Sequence, residues 1–289
     1  KRAFAFGYYA DNFIGLLEDL QDHLPIGDRK QRLARQRLWR VRAGQVILAT
    51  GAVERPLVFH HNDRPGVMLA SAAETYLHRY GVLPGKKTVL FTANNFAYRT
   101  AFELQDAGVD VEAIVDLRPA PEPELMRRAA ELNIAVNPNS ALVGTTGSQR
   151  ISSVKVRRLD GKGGVVGSTT VHQCDSLIVS AGWTPNVALF SQSRGKLKFD
   201  RDLAAFRPGQ SWQNERSAGS SNGTMTTAEC LAEGAKVGAE AASASGFAAA
   251  AAAVPQLTES SGPAYDQVTV WQVPSGRRKG TTRSFIDLQ

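Results

Sequence analysis

Cysteine is nearly absent: among 289 residues only Cys174 and Cys230 occur. They form no C-x-x-C pair, which argues against a disulfide-exchanging centre and points to a reducing compartment, the cytoplasm. Long apolar runs are also missing. No stretch reaches the ~18 consecutive apolar residues that cross a bilayer, and no charged-then-apolar leader opens the chain, so no membrane partner is expected. Histidine is scarce, at five residues. Adjacent His60 and His61 diverge, with Asp63 nearby but no third His or Cys at ligand spacing, so no metal site is expected. Ser71 and Ser180 stand outside any G-x-S-x-G frame, which leaves nucleophilic hydrolysis without support. Cys174, opening an apolar strand, and Cys230, within a helix, read as packed thiols.

Glycine is plentiful, at 26 residues, yet missing where a dinucleotide fold uses it. In VLFTANNFAYRTAFELQDAGVDVEAIVDLR (89–118) an apolar strand runs into a helix over 96–107, then a second strand over 109–115 that ends on Asp116. This is a βαβ opening with its acid about 20 residues on, where a ribose is gripped. At the three glycine positions of G-x-G-x-x-G stand Thr92, Asn94 and Ala97. Ala97 is small enough to keep helix and strand close. Asn94 would put a carboxamide where phosphates approach. The half-site is therefore expected to keep its fold without a dinucleotide, leaving Asp116 as a solvated or capping acid.

What is present elsewhere is a globular α/β pattern. Hydrophobic residues make up 43% of the chain, enough for one large core or two smaller ones and too much for disorder. The net charge of +7 is uneven: RKQRLARQRLWRVR (29–42) holds seven basic residues and no acid. Without an RNP, zinc or helix-turn-helix signature it reads as the solvated face of a hairpin whose other side is Leu33, Leu38 and Val41, and no nucleic-acid partner is expected. The spacing of Phe13, Leu16, Leu17 and Leu20 predicts an amphipathic helix over 12–23. A strand over 45–49 closes on Thr50-Gly51, bringing bare backbone to a sheet edge where ligands of open α/β folds are held. A helix over 69–80, the βαβ unit, a helix over 122–132, a β-meander (153–172) and an apolar strand (175–180) closed by AGWTPN follow. The loop AGSSNG (218–223) precedes a helix over 226–242. The tract 241–255 reads as a fraying helix and linker.

The element order implies two interleaved Rossmann-like, three-layer nucleotide-binding domains with a β-meander, the first of them incomplete; with ILATGA (47–52), the βαβ unit, AGWTPN (181–186) and AGSSNG before a helix, the chain resembles the glutathione/thioredoxin-reductase-like group. Residues 1–55 and 174–250 form the partial first domain, 56–173 the inserted second domain with its degenerate glycine motif, and 251–289 a linker toward a further domain. Ala49, Thr50, Gly51 and the Gly219 loop with Ser220, Asn222 and Gly223 are the expected cofactor-binding residues. Backbone N–H groups and a helix N-terminus there would face phosphate. Trp183 either stacks on a cofactor or plugs the domain junction.

The quoted motifs, with RAFAFGYYADN, RLWRVRAGQVILATGAVERPLVFHHNDRPGVMLASAAETYLHRYGV, SAGWTPNVALFSQSRGKL and AGSSNGTMTTAECLAEG, resemble the alpha subunits of heterotetrameric sarcosine oxidases along nearly the whole chain. The resemblance implies a first G-x-G-x-x-G strand before Lys1 and a folate-handling, aminomethyltransferase-like domain after Gln289. It implies an assembly with beta, gamma and delta subunits that converts sarcosine to glycine. The methyl carbon would leave as formaldehyde or as methylenetetrahydrofolate, with hydrogen peroxide formed from oxygen. The amine substrate would bind in a partner, at FAD, with FMN at the boundary to the beta subunit. In flavin-binding relatives an Asp follows the loop glycine and grips the ribityl chain; Ser220 stands there in this chain, and the resemblance implies a tightly held, non-reacting NAD. Rival expectations are an NAD(P)H-dependent flavin reductase, which needs an open nicotinamide site at 92–97, and a non-catalytic nucleotide-bound scaffold.

Overall fold

The computed structural model describes residues 2–250, 252–254, 266–276 and 281–285. They divide into two compact units: the chain leaves the first after Val53, builds the second from Glu54 to Trp183, and returns to the first at Thr184. The described residues beyond 262 belong to the second unit.

The second unit is built on a five-stranded parallel sheet in the order Val67–Leu69, Ser176–Ser180, Lys87–Thr92, Asp110–Asp116, Ala135–Asn137. A parallel sheet must be covered on both faces, and that requirement explains its continuous apolar runs. Side chains alternate between two cores. Leu90, Ile114 and Ile178 meet Ala97, Tyr98, Ala101 and Leu104 of the helix Phe96–Asp106. Val89, Phe91, Val115, Leu177 and Val179 meet Leu142, Val154 and Val156 of an antiparallel meander, Ser140–Thr146, Ser153–Leu159 and Val165–Gln173. Phe91 stands edge-on to Phe59 in that layer, ring centroids 5.7 Å apart.

The strand Ser176–Ser180 pairs with Lys87–Thr92 and Val67–Leu69, so it belongs to the second unit. The crossover thus falls at 183/184, where the sequence pattern placed it at 173/174. The expected linker is corrected too. Val268 and Val270 pack against the meander-side core, Val273 is buried, and the Val273 N–H donates to the Val58 carbonyl at 2.8 Å. Further on, the Phe285 N–H donates to Asn62 Oδ1 at 2.6 Å and the Arg283 N–H to His60 Nδ1 at 3.0 Å. These segments are a strap on the second unit; the rest of 251–289 lies largely outside the described residues.

The helix Ala70–Tyr80 opens without a side-chain cap from its own N-cap residue, Leu69. Glu54 supplies one instead, its Oε2 accepting from the Ser71 N–H at 2.7 Å. Burial raises the Glu54 pKa, against the pull of hydrogen bonds from Ser180 and Ser71. A carboxyl raised in the fold contributes most below the ordinary glutamate range and loses that contribution as pH rises through its folded value. At neutral pH its ionised form therefore costs stability. Glu54→Gln, which keeps an acceptor for Ser71, is expected to raise the melting temperature at pH 7–8, a gain on the order of 1 kcal/mol. The gain should close as pH falls toward 4; a constant gain would mean that charge is not its cause.

The first unit holds an antiparallel sheet, Ala3–Tyr9, Phe13–Asp19 and Gln36–Arg42, a hairpin Lys196–Asp200 with Ala205–Gln210, and a parallel pair, Val46–Leu48 with Glu215–Ser217. Its core gathers Tyr8, Val46, Leu48 and Phe190. The predicted helix over 12–23 is instead the central strand of the antiparallel sheet, with Leu16 opposite Trp39 and Leu17 opposite Leu38. Asp11 and Asn12, at φ of 57° and 50°, make the hairpin turn that commits the chain to a strand. Of the expected apolar side of the basic run, Val41 is half-buried, while Leu33 and Leu38 are exposed. Leu38 lies on the opposite sheet face from Trp39 and Val41.

Candidate nucleotide-binding sites

In the first unit, the parallel pair brings the predicted residues together at its carboxyl end. The Ala218 N–H donates to the Leu48 carbonyl at 3.0 Å, extending the pairing of Glu215–Ser217 with Val46–Leu48. Ala49, Thr50 and Gly51 follow, and Gly51 turns at φ 76°, a conformation that suits glycine. Thr50 Oγ1 donates to the Asn186 carbonyl at 2.6 Å, and the Asn186 N–H returns to the Gly51 carbonyl at 2.9 Å. A Cβ at Gly51 would lie 3.9 Å from Ser220 Oγ, so the two predicted loops face each other. A cleft of about 370 Å³ runs beside this strand, lined by Tyr8, Ile14, Leu16, Leu189 and residues 46–50.

The Gly219 loop differs from expectation in its donors. It is a short 3₁₀ turn, Gly219–Asn222, ended by Gly223 at φ 92°. The Gly219 N–H donates to Glu233 Oε2 at 2.7 Å, and Asn222 Nδ2 donates to Glu233 Oε1 at 2.6 Å. The N-terminus of the helix Thr227–Ala244 is closed as well: Thr226 accepts from the Glu229 N–H and donates to the Glu229 carboxylate at 2.6 Å. The Thr226 hydroxyl thus serves as the N-cap, meeting the Glu229 amide and carboxylate together. The amide and the helix end assigned to phosphate are thus engaged within the chain. A carboxylate tied to the loop repels phosphate and accepts from hydroxyls, so the residues fit the sugar-side wall of a dinucleotide better than a diphosphate cradle. Glu233, 14 residues past Gly219, carries no spacing signal that sequence reasoning could have used. Ser221, whose hydroxyl donates to the Leu48 carbonyl at 3.1 Å, is a second such residue.

Trp183 is not among these residues. It lies in the second unit, edge-on to Phe96 with ring centroids 5.1 Å apart. Both thiols are protonated. Burial pushes Cys174 up to about 12, and burial followed by the charges of Glu233 and Glu229 raises Cys230.

The second unit's degenerate turn is fully internalised. Asn94 is 0% exposed. Its Nδ2 donates to the Ser180 carbonyl at 3.2 Å and to Ser180 Oγ at 2.9 Å, and its Oδ1 accepts from the Phe96 N–H at 2.9 Å. The expected steric block is therefore corrected. The carboxamide points to the neighbouring strand and takes an amide at the helix start that a phosphate oxygen would need. Ala97 is buried in the helix–sheet core.

Asp116 is neither solvated nor a cap. It is 0% exposed and paired with Arg118, Nη2 to Oδ2 at 2.7 Å and Nε to Oδ1 at 3.1 Å. The Tyr98 hydroxyl donates to Oδ2 at 2.9 Å. Burial, then the Asp116 charge, raises the Tyr98 phenol, which stays a donor. Burial pulls Arg118 down, but the bonds and charge of Asp116 more than offset it, so its pKa is raised. The carboxylate that would hold a ribose is spent on an internal ion pair.

An α/β chain with one unit inserted in the other shares its fold with solved oxidoreductases. The solved L-proline dehydrogenase from P. horikoshii aligns at TM-score 0.59 and 22% identity, covering 86% of this chain and 42% of that one. The T. acidophilum thioredoxin reductase aligns at TM-score 0.53 and 18% identity, over 71% of this chain and 66% of that one. In sequence the chain is similar to sarcosine oxidase alpha subunits: it is 37% identical to that of Corynebacterium sp. strain P-1 and 36% identical to that of Rhizobium meliloti strain 1021, each over 100% of this chain. It spans 30% and 27% of those relatives' lengths. An opine oxidase subunit of Agrobacterium tumefaciens strain Ach5 is 27% identical over 58% of this chain and 36% of its own length. No protein-family model matches.

Proposed function

We propose that this chain is the nucleotide-holding portion of the alpha subunit of a heterotetrameric sarcosine oxidase. Such an assembly, with beta, gamma and delta subunits, converts sarcosine, oxygen and water to glycine, formaldehyde and hydrogen peroxide, or passes the methyl carbon to tetrahydrofolate. The observation that carries this reading is the identity of 36–38% to sarcosine oxidase alpha subunits over the chain's whole length. FAD in the beta subunit and FMN at its boundary with this chain would supply the redox chemistry.

The chain's own task is to hold an NAD that does not react. Ala49, Thr50 and Gly51 offer backbone at the strand end, and Gly51 leaves room toward Ser220. Glu233 fixes the Gly219 turn from behind. Ser220, in place of an acid, suits a ligand without a ribityl chain. The opine oxidase relative supports a second substrate reading, in which the assembled enzyme oxidises another secondary amine.

Denaturing the purified protein and weighing what is released tests the assignment. One NAD per chain is expected, with flavin in the whole assembly reduced by sarcosine but not by NADH. Release of FAD from this chain, or NADH oxidation by it alone, would overturn the reading in favour of a reductase.

A further inference from the structure

We infer that the second unit's former coenzyme groove has become a peptide groove, and that its occupant is this chain's own segment 266–268. In a working Rossmann unit three places meet the dinucleotide: the loop after the first strand, the first amides of the helix, and the end of the second strand. In this unit one stretch of strap meets all three. Gln267 forms an antiparallel bridge with Asn94. The Val268 N–H donates to the Ala93 carbonyl at 2.8 Å, on the loop, and the Asn95 N–H at the helix start donates to the Asp266 carbonyl at 3.3 Å. The Asp266 carboxylate pairs with Arg118 Nη1 at 2.9 Å, two residues past the end of the second strand.

Arg118 thereby joins the two carboxylates. It is 4% exposed, holds Asp116 through Nε and Nη2, and uses Nη1 on Asp266 and on Asn95 Oδ1. Asn95 Nδ2 in turn donates to Glu122 at 3.2 Å. A backbone carbonyl now serves the amide a diphosphate would take, and the Asp266 charge would repel one. Val268 and Val270 anchor the segment by packing on the meander-side core. The groove is closed in cis, with the Asp266–Arg118 pair as its latch and the valines as its hold. This inference does not depend on NAD in the first unit, because every contact in it lies within the second.

Amide hydrogen exchange on the purified protein tests it at Asn95 and Val268, with released nucleotide weighed in parallel so that the two readings fail separately. Both amides should be protected and unmoved by millimolar NADH. Asp266→Ala should speed their exchange about fivefold, the size of a partly exposed ion pair, and Val268→Asp should speed it further. The core amide of Leu90 should not change in either variant. Wild-type exchange rates in both variants would show that the segment is not seated as described. A change at either amide on adding NADH would show that the groove still admits a dinucleotide, and the inference would fall.

Discussion

Arg118→Met should destabilise the second unit by about 3–5 kcal/mol, among the largest losses open to a single substitution in this chain. Asp116 has no water to turn to: it is fully buried, and its oxygens are held by Arg118 and the Tyr98 hydroxyl. Removing the guanidinium leaves a carboxylate facing apolar neighbours with one phenol and the backbone N–H of residue 118, which donates to Oδ1 at 2.8 Å. The cost lies in the charge left behind, since a buried pair in water-free surroundings contributes little by itself. The double variant Asp116→Asn with Arg118→Met should recover most of the loss, because no unpaired charge remains. Chemical denaturation of the wild type and the two variants checks this. A single variant within about 1 kcal/mol of wild type would sink the ion-pair account.

The same pair shows what the sequence could have told. Asp116 and Arg118 are two residues apart at a strand end, where alternation puts them on one side. The spacing D-x-R was a legible hint that the acid had an internal partner. The parallel sheet was legible for a stronger reason: strands buried on both faces leave unbroken apolar runs, as in 89–91 and 177–179. The segment 13–19 was misread because a two-faced sheet strand also yields hydrophobics three and four apart, with Leu16 on one face and Leu17 on the other. Its turn, Asp11-Asn12, was the signal that separated the cases.

Other features lay beyond any local pattern. Residues 266–273 alternate Val268, Val270 and the more distant Val273, a strand-like hint that names no partner. The Gly219 loop was found from its glycines, but its bond to Glu233 depends on how the following helix is rotated, which sequence spacing alone does not fix. Likewise the identity of Asn94 was plain while its direction was not. An asparagine before a helix can face solvent, fill a ligand site or turn inward as a cap, and the neighbouring Ser180 carbonyl decides the matter.

That inward turn makes Asn94→Gly the sharpest test of the proposal that the second unit takes no dinucleotide. The substitution restores the glycine of a working Rossmann turn, so a purely steric account expects NADH to bind the unit. The geometry expects otherwise. The variant strips a partner from the Ser180 carbonyl, the Ser180 hydroxyl and the Phe96 N–H, all three contacts at 2.9–3.2 Å. The Ser180 carbonyl keeps the Ala93 N–H at 3.0 Å and the Thr92 hydroxyl, and the Ser180 hydroxyl keeps Glu54, so the Phe96 N–H is the group left unmatched and a net loss of about 1–3 kcal/mol is expected. No dinucleotide should bind in exchange, because Asp116 stays locked to Arg118 and segment 266–268 still crosses the helix start. Denaturation curves give the first quantity, and NADH titration followed by exchange at Asn95 gives the second. Near-wild-type stability together with stoichiometric NADH binding would mean that one carboxamide had been the whole barrier, and that neither the ion pair nor the strap closes the groove.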